Sequence, residues 1–149
     1  MAIFEQVNAG IKQAMKAHDK QRLEALRGIK AELLLVKTAP GNNGEVSDDN
    51  ALKVLVRMAK QRKESAQIYI EQNRQDLADV ELLQAQVVEE FLPKQLNDEE
   101  LTSEVKTIIA QAGATSMKDM GRVMGIASKQ LAGRAEGRAI SAKVKELLS

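Results

Sequence analysis

Aliphatic side chains recur every three or four residues along most of this chain, and no stretch alternates apolar and polar residues as a half-buried strand would. That spacing leaves one fold class, all-α. Ile3, Val7, Ile11 and Met15 begin the series, and Leu23, Leu26, Ile29, Leu33 and Leu34 resume it after Asp19, a residue suited to N-cap a second helix. The run PGNNG, Pro40 to Gly44, combines strong turn and break signals. Ser47 is expected to cap a third helix, with Asp48 and Asp49 placed where carboxylates favour the positive end of the helix dipole. Its inward residues are expected to be Leu52, Leu55, Val56, Ala59, Ala66, Tyr69 and Ile70. A break over residues 73–76 precedes a fourth helix turned inward through Leu77, Val80, Leu83, Val87, Val88 and Phe91.

The next break has a steric cause. Pro93 disfavours helical geometry at Leu92, so the fourth helix should end there. Asn97 with Glu100 three residues on reads as a capping box opening a fifth helix, with Leu101, Val105, Ile108, Ile109 and Ala112 inward. Gly113 suits the left-handed residue that closes it. Ser116 is expected to cap a sixth helix, a glycine-interrupted connector covers residues 129–136, and a seventh helix turns Ile140, Val144, Leu147 and Leu148 inward. The expected organisation is a four-helix domain over residues 1–92, a linker over 93–96 and a three-helix domain over 97–149.

Composition excludes several functions. The 149 residues can bury a real core. With no cysteine there is no disulfide, thiol nucleophile or thiolate-ligated metal, which fits a reducing compartment. The longest unbroken aliphatic run, Leu33 to Val36, is far too short to cross a membrane. The start, MAIFEQVNAG, lacks the basic and apolar regions of an export signal, so the expected location is the cytoplasm. Phe4, Tyr69 and Phe91 are the only aromatics, too few for a platform on which single-stranded bases stack. RNA, if bound, must be held by its phosphates and its folded shape. Net charge is +1, but residues 53–63 carry five bases and no acid, and residues 64–90 carry seven acids and one base. Such polarity reads first as a solvated helix surface.

Residues 113–137 hold five of the nine glycines. Drawn as a helix, the middle of this stretch places Met120, Met124, Ala127 and Leu131 on one side, with Met117 and Val123 at its margins. The three methionines read as core. Lys118, Arg122, Gly125 and Lys129 fall opposite, and Arg134 and Arg138 extend the basic character beyond. Gly121 and Gly125 have the GxxxG spacing in a helix too polar for a membrane. Interior glycines weaken a helix, so a pair of them implies close backbone approach. The partner is either a neighbouring helix, which the position of Gly121 favours, or an RNA backbone, which that of Gly125 favours.

Catalytic signals are few. His18, the only histidine, adjoins Asp19, but neighbours in sequence do not face each other on a helix. No phosphate-cradling loop or HExxH zinc pattern is present, and the acidic pairs lie at helix ends where capping accounts for them. We therefore expect no catalytic residues, no metal site and no cofactor.

The runs EEFLPKQLNDEEL (Glu89 to Leu101), SMKDMGRVMG (Ser116 to Gly125) and GRAEG (Gly133 to Gly137) resemble the YqeY-like family, whose C-terminal unit is similar to the tail of the B subunit (GatB) of the tRNA-dependent amidotransferase. LEALRGIKAE (Leu23 to Glu32), KQRKES (Lys60 to Ser65) and NRQDLADVE (Asn73 to Glu81) resemble the N-terminal half of the same family. GRAEG departs from the family's more usual Lys-Ala-Asp-Gly, and Glu136 is a poorer helix cap than Asp. The resemblance implies an N-terminal helical domain joined to a tail domain associated with holding tRNA. It also implies kinship with carbon–nitrogen ligases that take their amide from glutamine. Its expected nucleic-acid-binding residues are Lys118, Arg122, Gly125, Lys129, Arg134 and Arg138. The alternatives are a protein–protein adaptor that docks through the third and fourth helices, and a component of the ligase activity itself.

Overall fold

The computed structural model describes residues 2–149, and among them every regular element is helical. The chain divides into two compact units, Met1–Pro93 and Lys94–Ser149.

The first unit contains α1 (Ile3–Lys16), α2 (Lys20–Thr38), α3 (Asp48–Glu71) and α4 (Gln75–Glu89). Capping sets most of the boundaries. Asp19 accepts from the Arg22 N–H at 3.1 Å, and Ser47 accepts from the Asn50 N–H at 3.2 Å. Asp48 does more than favour the dipole of its own helix, because its Oδ1 accepts from the Ile3 N–H at 3.0 Å and so caps α1 as well. The Asn42 amide donates to the Val36 carbonyl at 2.8 Å, folding the PGNNG run back on the last turn of α2. The turn between α3 and α4 comes at Gln72–Arg74, slightly earlier than the pattern implies, with Asn73 in left-handed geometry at φ 59°.

Leu26, Ile29, Leu33 and Leu55 are fully buried and form the centre of this unit with Val7 and Val88. Phe91 lies just past α4 and packs against the same core. Where large residues are missing, helices approach closely. Gly10 of α1 is one such place: a Cβ there would sit 3.3 Å from the Leu26 Cδ1. The α3–α4 pair is another, with alanines seven residues apart on each helix, Ala59 and Ala66 on one and Ala78 and Ala85 on the other, all buried.

The charge polarity of α3 and α4 has a structural use. Arg62 pairs with Glu81 at 3.2 Å and Lys63 pairs with Glu89, so the basic run of one helix meets the acidic run of the next. Arg57 reaches Glu32 of α2 at 3.6 Å, and Arg22 of α2 reaches Glu90 at 2.6 Å. The exposed pairs among these contribute about 0.2–1 kcal/mol each, and the set favours one pairing of helices over others.

Several expected inward residues point outward. Met15, Leu34, Ile70 and Val80 lie on the predicted apolar stripes yet are exposed. Each stripe is wider or longer than the neighbour that covers it, so its edges face solvent.

The second unit contains α5 (Asp98–Ala112), a 3-10 turn (Met117–Asp119), α6 (Met120–Gln130) and α7 (Gly137–Leu148). Its core is Leu101, Val105 and Ile108 of α5, Val123, Ala127 and Leu131 at and after α6, and Ile140, Val144 and Leu148 of α7. Asn97 and Glu100 form the reciprocal capping box, and Gly113 ends α5 at φ 65°. Ahead of α5, Leu96 donates its N–H to the Arg134 carbonyl at 2.9 Å, and the Gln95 side chain donates to the Gly133 carbonyl. Lys143 of α7 is the buried cation of this unit, paired with Asp98 at 3.0 Å and Glu146 at 3.1 Å. The hydrogen bonds that its ammonium donates to those two carboxylates raise its pKa above the ordinary lysine value.

The alanine seam between α3 and α4 should tolerate no added volume. Ala66→Leu is expected to destabilise the first unit by about 1–3 kcal/mol, the usual range for overpacking, and equilibrium urea unfolding would measure it. An unchanged midpoint would show that the seam has slack.

Candidate nucleic-acid interface

The candidate face depends on how the chain turns from α5 into α6. Thr115 and Ser116 donate their N–H groups to Asp119 Oδ2 at 3.0 and 3.4 Å, and the Ser116 hydroxyl accepts from the Lys118 N–H. Serine and aspartate thus cap the turn reciprocally, as the pattern implies for Ser116. The capped segment is a 3-10 turn, and α6 starts only at Met120. Arg122 ties the ends together: Nη1 donates to the Ala112 carbonyl at 2.6 Å, and Nη2 meets Asp119 Oδ1 at 3.1 Å. The Thr115 N–H, and next the Arg122 guanidinium, hold the Asp119 carboxyl below its ordinary range.

This turn changes the two-faced reading of the stretch. A 3-10 turn advances about 120° per residue instead of 100°. Lys118 therefore precedes α6 instead of lying on its stripe, and Met117, expected in the core, is exposed. Val123, expected at the margin, is fully buried with Ala127 and Leu131, whereas Met120 and Met124 pack at the edge of the core. Opposite them, Arg122, Gly125 and Lys129 share the outer face of α6 and are exposed.

Gly121 and Gly125 are both exposed, and a Cβ at either would meet nothing within 4 Å. Neither glycine is required by a neighbouring helix, so the intramolecular reading favoured by the position of Gly121 is wrong. Their φ angles lie outside the left-handed region as well. The fold uses these glycines for nothing, although Gly125 in mid-helix costs about 0.5–1 kcal/mol relative to alanine.

The six expected binding residues divide into two kinds. Lys118, Lys129 and Arg138 are exposed and make no ion pair among the described residues. Arg122 and Arg134 are engaged within the unit: Arg122 in the turn just described, and Arg134 with Glu104 of α5 at 3.6 Å. Arg134 belongs to the connector and Arg138 to the first turn of α7, so the six do not form one stripe. Periodicity could not reveal the tie from Arg122 to a carbonyl ten residues earlier. The glycine that closes α5 and the Ser116-to-Asp119 cap were the only local signs that the chain doubles back there.

A family model described as Yqey-like protein matches residues 4–148. The chain belongs to that family. One curated relative is the Altered inheritance of mitochondria protein 41, mitochondrial, of Clavispora lusitaniae, 28% identical over 91 residues. The match covers 61% of this chain and 52% of the relative, so the chain spans about half the length of that protein. The three C-terminal runs that resemble the YqeY-like family map onto the stretch from the end of α4 to the start of α5, the 3-10 turn with the first half of α6, and the connector into α7. No group of three or more histidine, aspartate or glutamate side chains that could hold a metal occurs among the described residues, and no helix among them is long and apolar enough to cross a membrane.

The turn should be sensitive to acid. Because its folded-state pKa is lowered, Asp119 contributes stability above the unfolded value, near 3.9, and that contribution disappears as pH falls through the lowered folded value. Asp119→Asn is expected to melt below the wild type at neutral pH, with the gap closing under acid, in thermal unfolding followed across pH. A gap that persists under acid would show that the carboxylate charge is not what holds the turn.

Proposed function

We propose that the C-terminal unit is a non-catalytic binding module for folded tRNA, related in role to the tail of the amidotransferase B subunit. The observation that carries this reading is the outer face of α6. Two glycines lie there in open space, at a cost in helix stability that no internal contact offsets. Lys118 and Lys129 stand near its two ends with no internal carboxylate partner among the described residues. A glycine surface admits a ribose–phosphate backbone more closely than any other residue would allow, and the flanking ammonium groups supply the charge. Arg138 adds a cation with no ion pair among the described residues, while Arg122 and Arg134 chiefly shape the unit. With so few aromatic side chains, recognition rests on phosphates and shape instead of base stacking.

Binding of this kind is weak and strongly salt-dependent, because a few displaced counterions provide most of its free energy. No cofactor, metal or membrane enters the reading, and the expected setting is the cytoplasm. Participation in carbon–nitrogen ligation would then come through delivery or retention of tRNA, with other chains supplying the chemistry.

Lys118→Ala/Lys129→Ala/Arg138→Ala should weaken tRNA binding about tenfold or more at low salt and flatten the salt dependence by about one unit of slope per cation lost. Filter binding at several salt concentrations measures both. No binding by the wild type at low salt, or no loss in the triple variant, overturns the proposal.

Gly125→Ala separates stability from function. It is expected to raise stability by about 0.5–1 kcal/mol while weakening tRNA binding. Equal binding by a stabilised variant would rule out close backbone approach at this helix.

A further inference from the structure

The hairpin of α1 and α2 carries positive charge that the first unit does not use. Its acidic groups are occupied or turned elsewhere. Glu32 pairs with Arg57 of α3, and Asp19 caps α2. Glu24 lines a small cleft with Val80 and Leu83 of α4, and Glu5 stands in the first turn of α1. Of the bases, Arg22 is taken up by Glu90. Lys12, Lys16, Lys20, Arg27 and Lys30 make no ion pair among the described residues, and all but the half-buried Lys30 are exposed.

Most of this surplus lies along one edge of the hairpin. Lys37 of α2 sits over the Phe4 ring of α1, 5.5 Å from its centroid, and so marks the side on which the two helices meet solvent together. Helical spacing carries that edge through Ile11 and Met15 on α1, and through Leu23, Arg27, Lys30 and Leu34 on α2. Met15 is 52% exposed and Leu34 38% exposed. At the turn, where His18 adopts left-handed geometry, the edge is recessed into a cleft of about 250 Å³. Met15 and Leu23 wall it, the buried Ala14 lies at its base, and His18 and Lys20 stand at its rim.

The cleft and the charges together select the partner. Lys12 is one helical turn from Met15 and Arg27 one turn from Leu23, so cations flank an apolar recess on both helices. A ribose–phosphate backbone meets the cations and leaves the recess empty. A bilayer surface is flat, and the recess lies below what it can reach. A helix with one aliphatic anchor and carboxylates three or four residues to either side satisfies both parts, with the anchor supplying most of the affinity and the exposed ion pairs its sign.

We propose that this end of the α1–α2 hairpin docks an acidic amphipathic helix of a protein partner, one aliphatic side chain entering between Met15 and Leu23 and its carboxylates meeting Lys12, Lys20 and Arg27. The site lies wholly in the first unit and is independent of the tRNA reading.

The test uses the full chain and three synthetic peptides: a helical leucine–glutamate amphipath, a scrambled peptide of the same composition, and a leucine–lysine counterpart. Amide chemical-shift mapping should place the leucine–glutamate helix on residues 11–30, with at least tenfold tighter binding than either control. Met15→Glu, at an exposed position, should weaken binding tenfold or more. Lys12→Gln/Arg27→Gln should weaken it severalfold, and both variants should melt as the wild type does. Lys118→Ala/Lys129→Ala, in the other unit, should leave it unchanged. No binding of the leucine–glutamate peptide, a footprint elsewhere, equal binding of either control, or indifference to both hairpin variants would overturn the proposal. So would a footprint of tRNA or of phosphatidylserine vesicles on this cleft.

Discussion

A core without aromatic bulk constrains everything else in this protein. Three aromatic residues serve the whole chain, and none is fully buried. Leucine, isoleucine, valine and alanine must therefore fill the interior, and helices reach native packing density only by approaching closely where side chains are small. The alanines at seven-residue spacing on α3 and α4, and Gly10 against Leu26, mark those approaches. In such a protein the position of each small residue is informative. Gly10 is required by a neighbour, Gly113 by left-handed geometry, and Gly28 leaves room for a guanidinium. Gly121, Gly125 and Gly137 remain without an internal reason, and the first two lie together on α6, which is why the outer face of that helix bears the functional reading.

Features that depend on residues three or four apart were legible in the sequence. The caps at Asp19, Ser47 and Asn97, the closing glycine at 113 and the all-α class all come from local hydrogen bonding and helical periodicity. Periodicity gives the direction of a side chain, however, and not the length of the helix that must cover it. Met15, Leu34, Ile70 and Val80 point along their stripes and still meet solvent. The 3-10 turn at Met117–Asp119 was hidden for a related reason. A single tightened turn changes no residue type, yet it shifts Lys118 off the face of α6 and moves Val123 from the margin to the centre of the core.

Electrostatic partners were the least legible, because pairing joins residues distant in sequence. The basic and acidic runs of α3 and α4 read as a solvated surface, and they are solvated, but they also interlock through Arg62 with Glu81 and Lys63 with Glu89. The same distinction divides the candidate binding residues. Arg122 and Arg134 satisfy carbonyls and carboxylates of their own unit, which leaves Lys118, Lys129 and Arg138 as the charges with no internal use.

The tRNA reading rests on one criterion, the separation of what the fold consumes from what it leaves over. On and beside α6 the surplus is Gly121 and Gly125 in open space with Lys118, Lys129 and Arg138 unpaired among the described residues, a combination suited to a polyanion that comes close along its backbone. A binding role of that kind asks no chemistry of the chain, and its single histidine sits exposed at a helix junction in left-handed geometry, φ 55°, beside an aspartate already engaged as a cap.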